Sequence, residues 1–189
     1  MRHKYSARAL VLSRNQIGEA SVSVSLLTED FGIIRARSQG ARKPGAKMAP
    51  ALQTLSLADV TLIRGKDGWR TAGAILEENW ARALTQSARA CAVRVTELAQ
   101  RLVQGERADP ELFSILLSFV RSLETLNESE QEAAEMIAAV RVLQVLGLDA
   151  GDTFGESNDY SPEHLAQAAS VRKELIARIN HGIASSGLY

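Results

Sequence analysis

The chain has 189 residues and a mass of 20.5 kDa, with 46% hydrophobic and 23% charged residues, which suits one or two small globular domains. Cys91 is the only cysteine, which excludes an intrachain disulfide and a cysteine-rich metal site, and no run of about 18 apolar residues exists to span a membrane. The formal net charge of zero hides a segregation: residues 1–75 carry 12 Lys/Arg against 5 Asp/Glu, while residues 76–189 carry 10 against 17. Two units with different partners are expected, the first seeking an anion.

Met1-Arg-His-Lys4 is basic, but the next apolar run, Ala9–Leu12, is too short for a secretion signal, so a cytoplasmic location is expected. Ala7–Ser13 reads as a strand. Ser21-Val-Ser-Val-Ser-Leu26 alternates strictly and places Val22, Val24 and Leu26 on one face. Asp30-Phe-Gly32 turns the chain into a third strand, Ile33–Arg37. Gln39–Lys47 follows, a loop hinged at Gly40 and Gly45 with Pro44 as a further breaker. Arg42, Lys43 and Lys47 lie in it, and no carboxylate occurs from Phe31 through Ala58. Leu55–Arg64 is a fourth strand, with Leu55, Leu57 and Ile63 on one face and Val60 and Leu62 on the other. Lys66-Asp67-Gly68 is a hairpin turn, and Trp69–Leu76 closes the set. Five short strands predict a small closed barrel of the OB or SH3-like kind, which leaves no exposed sheet edge.

From Glu77 the apolar period lengthens to that of a helix. Leu84, Ala88, Cys91, Val95, Leu98 and Leu102 form one helix face, ended by Gly105. Asp109 caps a second helix with Pro110 in its first turn, burying Leu112, Phe113, Leu116, Leu117, Val120 and Leu123. Ser129-Glu-Gln-Glu132 fits a capping box opening a third helix through Met136, Ile137, Val140, Leu143 and Leu146, stopped by Gly147. Asp149–Asp159 is an acidic loop. Ser161-Pro162 starts a final helix with Leu165, Ala169, Leu175, Ile176 and Ile179 inward. The prediction is an α+β chain: a barrel over residues 1–77 packed on an all-helical domain of about four helices over residues 78–189.

No catalytic constellation is visible. His3, His164 and His181 are scattered and read as surface or capping residues, and Cys91 as a core residue. The Glu77-Glu78 pair and Glu130, Glu132 and Glu135 read as helix-start acids. No phosphate-binding glycine loop is present, so a binding protein without catalytic metal or other cofactor is expected rather than an enzyme. The candidate DNA-contacting set is Arg14, Arg35, Arg37, Arg42, Lys43, Lys47, Arg64 and Lys66. Arg35 and Arg37 share a strand face leading into the basic loop, and Arg14, Arg64 and Lys66 are expected at strand ends, where barrel loops crowd together. Tyr5, Phe31 and Trp69 are the barrel's aromatics. Trp69 is assigned to the core or a domain boundary in preference to base stacking. The grip is therefore expected to be mostly on phosphates, with a log–log salt slope of about −3 for about four phosphates on a single strand. The opposing interpretation of the basic loop is a solvated hairpin whose lysines serve solubility alone.

Ala9-Leu-Val-Leu12, Gly18-Glu19, Leu27-Thr28 before Phe31-Gly32, Gly40-Ala-Arg-Lys43 and Ala51-Leu-Gln53 occur in this order. Together they resemble the start of the RecO family, bacterial recombination mediators acting with RecR and RecA. Leu143–Leu148 resembles that family's helix-end segment. The resemblance implies an N-terminal OB-fold and a C-terminal helical domain, and binding of single- and double-stranded DNA. It also implies annealing of complementary strands, loading of RecA onto DNA coated by the single-strand-binding protein SSB, partnership with RecR and SSB, and a nucleoid-associated place in the cytoplasm. Many members hold a four-cysteine zinc site after the helix-end segment, whereas Asp149–Asp159 has no cysteine, so zinc is not expected. The chain is short for the family, and Ile179–Tyr189 lacks much of the usual helical tail. An acidic SSB tail needs an apolar groove beside arginine, for which Arg101, Arg121 and Arg141 are candidates, each expected on an exposed helix face. The alternatives are a protein-interaction adaptor and an RNA-binding module; no membrane and no small-molecule substrate are expected.

Overall fold

The computed structural model describes residues 3–187 except 44, 104, 153 and 157, so Met1 and Arg2 of the basic start, Pro44 of the loop and the last two residues lie outside the described set. The five strands are β1 (Lys4–Ile17), β2 (Ser21–Thr28), β3 (Gly32–Ser38), β4 (Ser56–Gly65) and β5 (Gly68–Asn79). They close in the order β1-β2-β3-β5-β4, antiparallel throughout except for the β3–β5 pair, which is the OB-like solution of the two predicted barrel types. Alternation places Val22, Val24 and Leu26 of β2 inside with Ala7, Ala9 and Val11 of β1. On β4 the interior takes Ala58, Val60 and Leu62 in simple alternation, and the two register shifts against β5 leave Glu77 and Ala72 as the extra residues on β5. Trp69 is almost wholly buried, with edge contacts to Tyr5 at 5.4 Å and Phe31 nearby, so it plugs the barrel core.

Six helices follow among the described residues: α1 (Trp80–Ala83), α2 (Gln86–Leu102), α3 (Pro110–Ser122), α4 (Glu128–Val145), α5 (Pro162–Ser170) and α6 (Arg172–Ser185). Asp109 caps α3 through its carboxylate, which accepts from the Leu112 N–H at 3.0 Å. The α4 cap lies earlier than the sequence pattern indicated. Asn127 is the N-cap and Glu130 completes the box, accepting from the Asn127 N–H at 2.9 Å. The expected single final helix is two, interrupted at Val171. Offsetting the second half changes its inward face: Leu165, Ala168, Leu175 and Gly182 are buried, while Ala169 and Ile176 are exposed. Gly182 sits so close to Leu143 that a Cβ would come within 2.9 Å of it.

The chain forms two compact units, Met1–Ala83 with Gly105–Phe113 and Leu84–Gln104 with Ser114–Tyr189. The barrel unit thus recruits a segment from beyond α2. Gly32 explains how that segment lies against β3: a Cβ there would sit 2.0 Å from the Arg107 carbonyl oxygen, and its φ of +68° also favours glycine. Among the described residues no helix is long and apolar enough to cross a membrane.

Candidate nucleic-acid interface

Strand register decides which cations share a surface. On β3, Ile34, Ala36 and Ser38 are buried, so Arg35 and Arg37 between them are exposed on the outer face. Across β2 they pair with Ser25 and Ser23, and Arg37 also pairs with Arg70 on β5. Short serine side chains therefore flank the arginines without shielding them. Arg70 is half-buried with its guanidinium against Gly65, where a Cβ would come within 3.2 Å of its Nη2. Arg70 is absent from the sequence-derived set. The signal that reveals it is the parallel register of β3 and β5, which pairs residues 33 positions apart and leaves no trace in local alternation.

The basic loop continues directly from β3 as a series of turns. The Lys43 N–H donates to the Gly40 carbonyl and the Ala46 N–H to the Lys43 carbonyl. Arg42 ties the loop to the β1–β2 turn: its Nη1 donates to the Gly18 carbonyl at 3.0 Å and its backbone N–H to that of Ala20. Both bonds leave the guanidinium charge uncompensated, because a carbonyl is neutral. Lys43 and Lys47 are exposed. The loop ends at Leu55, a buried non-glycine residue with φ of +62°, held by its N–H to the Val11 carbonyl and by the Trp80 N–H to its own carbonyl. Among the described residues no carboxylate lies within ion-pair distance of Arg35, Arg37, Arg42, Lys43, Lys47 or Arg70.

The other three predicted cations are placed differently. β1 runs further than expected, so Arg14 is inside the strand, and a bulge between Val11 and Ser13 shifts its side. Arg14 pairs with the core residue Val24, whereas Arg35 and Arg37 point outward. Arg64 pairs with Trp69, stands over its ring at 5.1 Å and meets Glu106 at 3.2 Å. Lys66 is exposed in the β4–β5 turn.

Glu77, Glu130 and Glu135 among the candidate acids, and His164 among the histidines, have structural partners. Glu77 lies on β5, not in a helix, and receives both Arg8 Nε at 2.9 Å and Nη2 at 2.8 Å, which raises the Arg8 pKa. His164 lies in the first turn of α5, its Nδ1 2.9 Å from the Ser161 hydroxyl and 2.8 Å from the Asp159 carboxylate. Burial first, and the neighbouring Glu135 second, push the Cys91 thiol up to about 12, a poor nucleophile. Among the described residues no three His, Cys, Asp or Glu side chains gather as a metal would require.

Zinc does not fit the loop after α4, which lacks thiols and is tied by other means. Arg141 Nη2 donates to the carbonyls of Phe154 and Asp159, and its guanidinium stands 4.8 Å from the Tyr160 ring centroid. Arg178 donates to both oxygens of Asp149, at 3.1 and 2.5 Å, and to the Asp152 carbonyl. The pair holds the Asp149 carboxyl below its ordinary range. Arg141 is only 4% exposed, which corrects its expected place on an open helix face. In the same unit, α2, α4 and α6 line a mainly apolar groove of about 420 Å³ containing Val95, Leu98, Met136 and Ile179, with Arg172, Glu132 and the paired Arg94 and Glu135 also in its lining. Arg101 lines an adjoining hollow with Leu98 and Ile183, while Arg121 borders a separate one.

Residues 1–72 match the family model described as "Recombination protein O N terminal". Over 190 aligned positions, covering 98% of this chain and 68% of each relative, the chain is 31% identical to a protein named DNA repair protein RecO from Dehalococcoides mccartyi strain BAV1. Proteins of the same name from strains CBDB1 and 195 are 30% and 28% identical over the same span.

Proposed function

The chain belongs to the RecO family of DNA repair proteins, and from that premise we propose that its barrel grips DNA by the phosphate backbone as a non-enzymatic recombination mediator. One observation carries the proposal: Arg37 and Arg70 are paired in register, with Arg35 on the same strand face as Arg37, and none of the three meets a carboxylate among the described residues. Like charges facing each other across strands destabilise a sheet, and a polyanion relieves that repulsion. The pinned loop extends the strip through Arg42, Lys43 and Lys47. Lys66 in the β4–β5 turn and Arg64 at the end of β4 add charge at that end of the barrel, whereas Arg14, on the side of Val24, is left out of the strip. With Trp69 buried, the grip depends on charge more than on base stacking, so it accepts unrelated sequences and weakens steeply with salt.

Annealing follows from the same electrostatics. A cationic surface screens the repulsion between two phosphate chains, so complementary bases meet without the protein reading them. In this account the barrel unit, Met1–Ala83 with Gly105–Phe113, holds DNA and the helical unit docks protein partners. An acidic tail of SSB would enter the α2–α4–α6 groove by its apolar side chains and meet Arg172, with Arg101 close by and Glu132 opposing it, whereas partnership with RecR and delivery of RecA rest on family membership alone. The test is annealing of complementary oligonucleotides coated with SSB, at two ionic strengths. Acceleration that fades as salt rises is expected; no acceleration at either salt would remove the annealing role.

A further inference from the structure

Arg64 stands apart from the rest of the proposed cation set because it already holds an anion. Glu106 Oε2 lies 3.2 Å from Arg64 Nη2, whereas Arg35, Arg37, Arg42, Lys43, Lys47, Lys66 and Arg70 meet no carboxylate among the described residues. The guanidinium is also held in place from below, standing over the Trp69 ring at 5.1 Å. Glu106 belongs to the segment Gly105–Phe113, which lies with the barrel unit although it follows α2 in sequence. That segment is seated independently of the ion pair, because the Arg107 backbone occupies the space that a Cβ at Gly32 would take. The carboxylate is thus presented to Arg64 by a fitted backbone rather than by a free tail.

A carboxylate offers a guanidinium two oxygens much as a phosphate does. We infer that Glu106 is a phosphate mimic that competes with DNA for Arg64 and so lowers the affinity of the barrel for DNA. The inference rests on the proposed backbone grip and adds to it a built-in competitor. The Arg64 and Glu106 side chains are 61% and 39% exposed, so the pair is weak enough to exchange for a polyanion without unfolding anything. Arg64 is the last residue but one of β4, beside the turn that carries the exposed Lys66, and by register it shares the side of Trp69 and Ala36, opposite to Arg35 and Arg37. The competitor therefore acts on the exposed cations at the β4–β5 end of the barrel, apart from the outer strip of Arg35, Arg37 and Arg70.

The test is Glu106→Gln in the full chain, titrated with a fluorescently labelled single-stranded oligodeoxynucleotide of mixed sequence between about 50 and 200 mM salt. Affinity is expected to rise by a factor of about two to five, the strength of an exposed ion pair. The salt slope is expected to steepen by up to about 0.7, one additional cation on a single strand. Adding Arg64→Ala should remove the gain. An unchanged or weaker affinity in Glu106→Gln overturns the inference, as does a gain that persists without Arg64, which would be a general field effect. If the unaltered protein binds no DNA at all, the proposed grip itself fails, and the competitor with it.

Discussion

In the helical unit three arginines are absorbed into the structure: Arg94 reaches Glu135, Arg178 reaches Asp149, and Arg141 is buried against the carbonyls of Phe154 and Asp159. On the barrel, Arg8 and Arg64 have carboxylate partners, but Arg35, Arg37 and Arg70 share an outer face that has none among the described residues. The same side chain serves as a clamp in one unit and as an uncompensated charge in the other. Charge segregation along the sequence is thus a coarse guide. What distinguishes a binding surface is which cations the fold leaves without a partner.

This contrast is tested most strongly at Arg141. Arg141→Leu should destabilise the chain by about 3 kcal/mol, read by urea unfolding, because the freed carbonyls of Phe154 and Asp159 lose a charged donor in a buried place. DNA affinity of the folded fraction should be unchanged. A loss of binding without loss of stability would erase the distinction between the two uses of arginine.

Arg178→Ala comes next, at about 2 kcal/mol, between the values for exposed and fully buried pairs. Its signature is pH dependence. The Asp149 pKa is lowered in the folded state by Arg178, so the pair stabilises above the unfolded value of about 3.9 and loses that contribution as pH falls through the folded value. Stability curves of the two proteins should therefore converge below about pH 4. Parallel curves down to acid would mean that the pair contributes nothing through ionisation.

Local sequence patterns carried the barrel because a half-buried strand declares itself by alternation, and β2 and β3 do so clearly. The Asp109 cap and the α2 and α3 faces were legible for the same reason, since caps and helix faces are local. Non-local geometry was not. The bulge after Val11 changes the side of Arg14, the β3–β5 pairing brings Arg70 beside Arg37, and Glu106 reaches Arg64 from a segment that the sequence assigns to the helical half. The break at Val171 escaped because no proline or glycine marks it, and apolar residues continue on both sides.

The most direct measurement is the salt dependence of DNA binding for the unaltered protein and for the triple variant Arg35→Ala, Arg37→Ala, Arg70→Ala, each on two unrelated single-stranded sequences. The account predicts equal weakening on both sequences and a slope shallower by about 2, three phosphate contacts at about 0.7 each, with stability unchanged or slightly raised as the like-charge pair is removed. An unchanged slope in a folded triple variant, or weakening confined to one sequence, would contradict it.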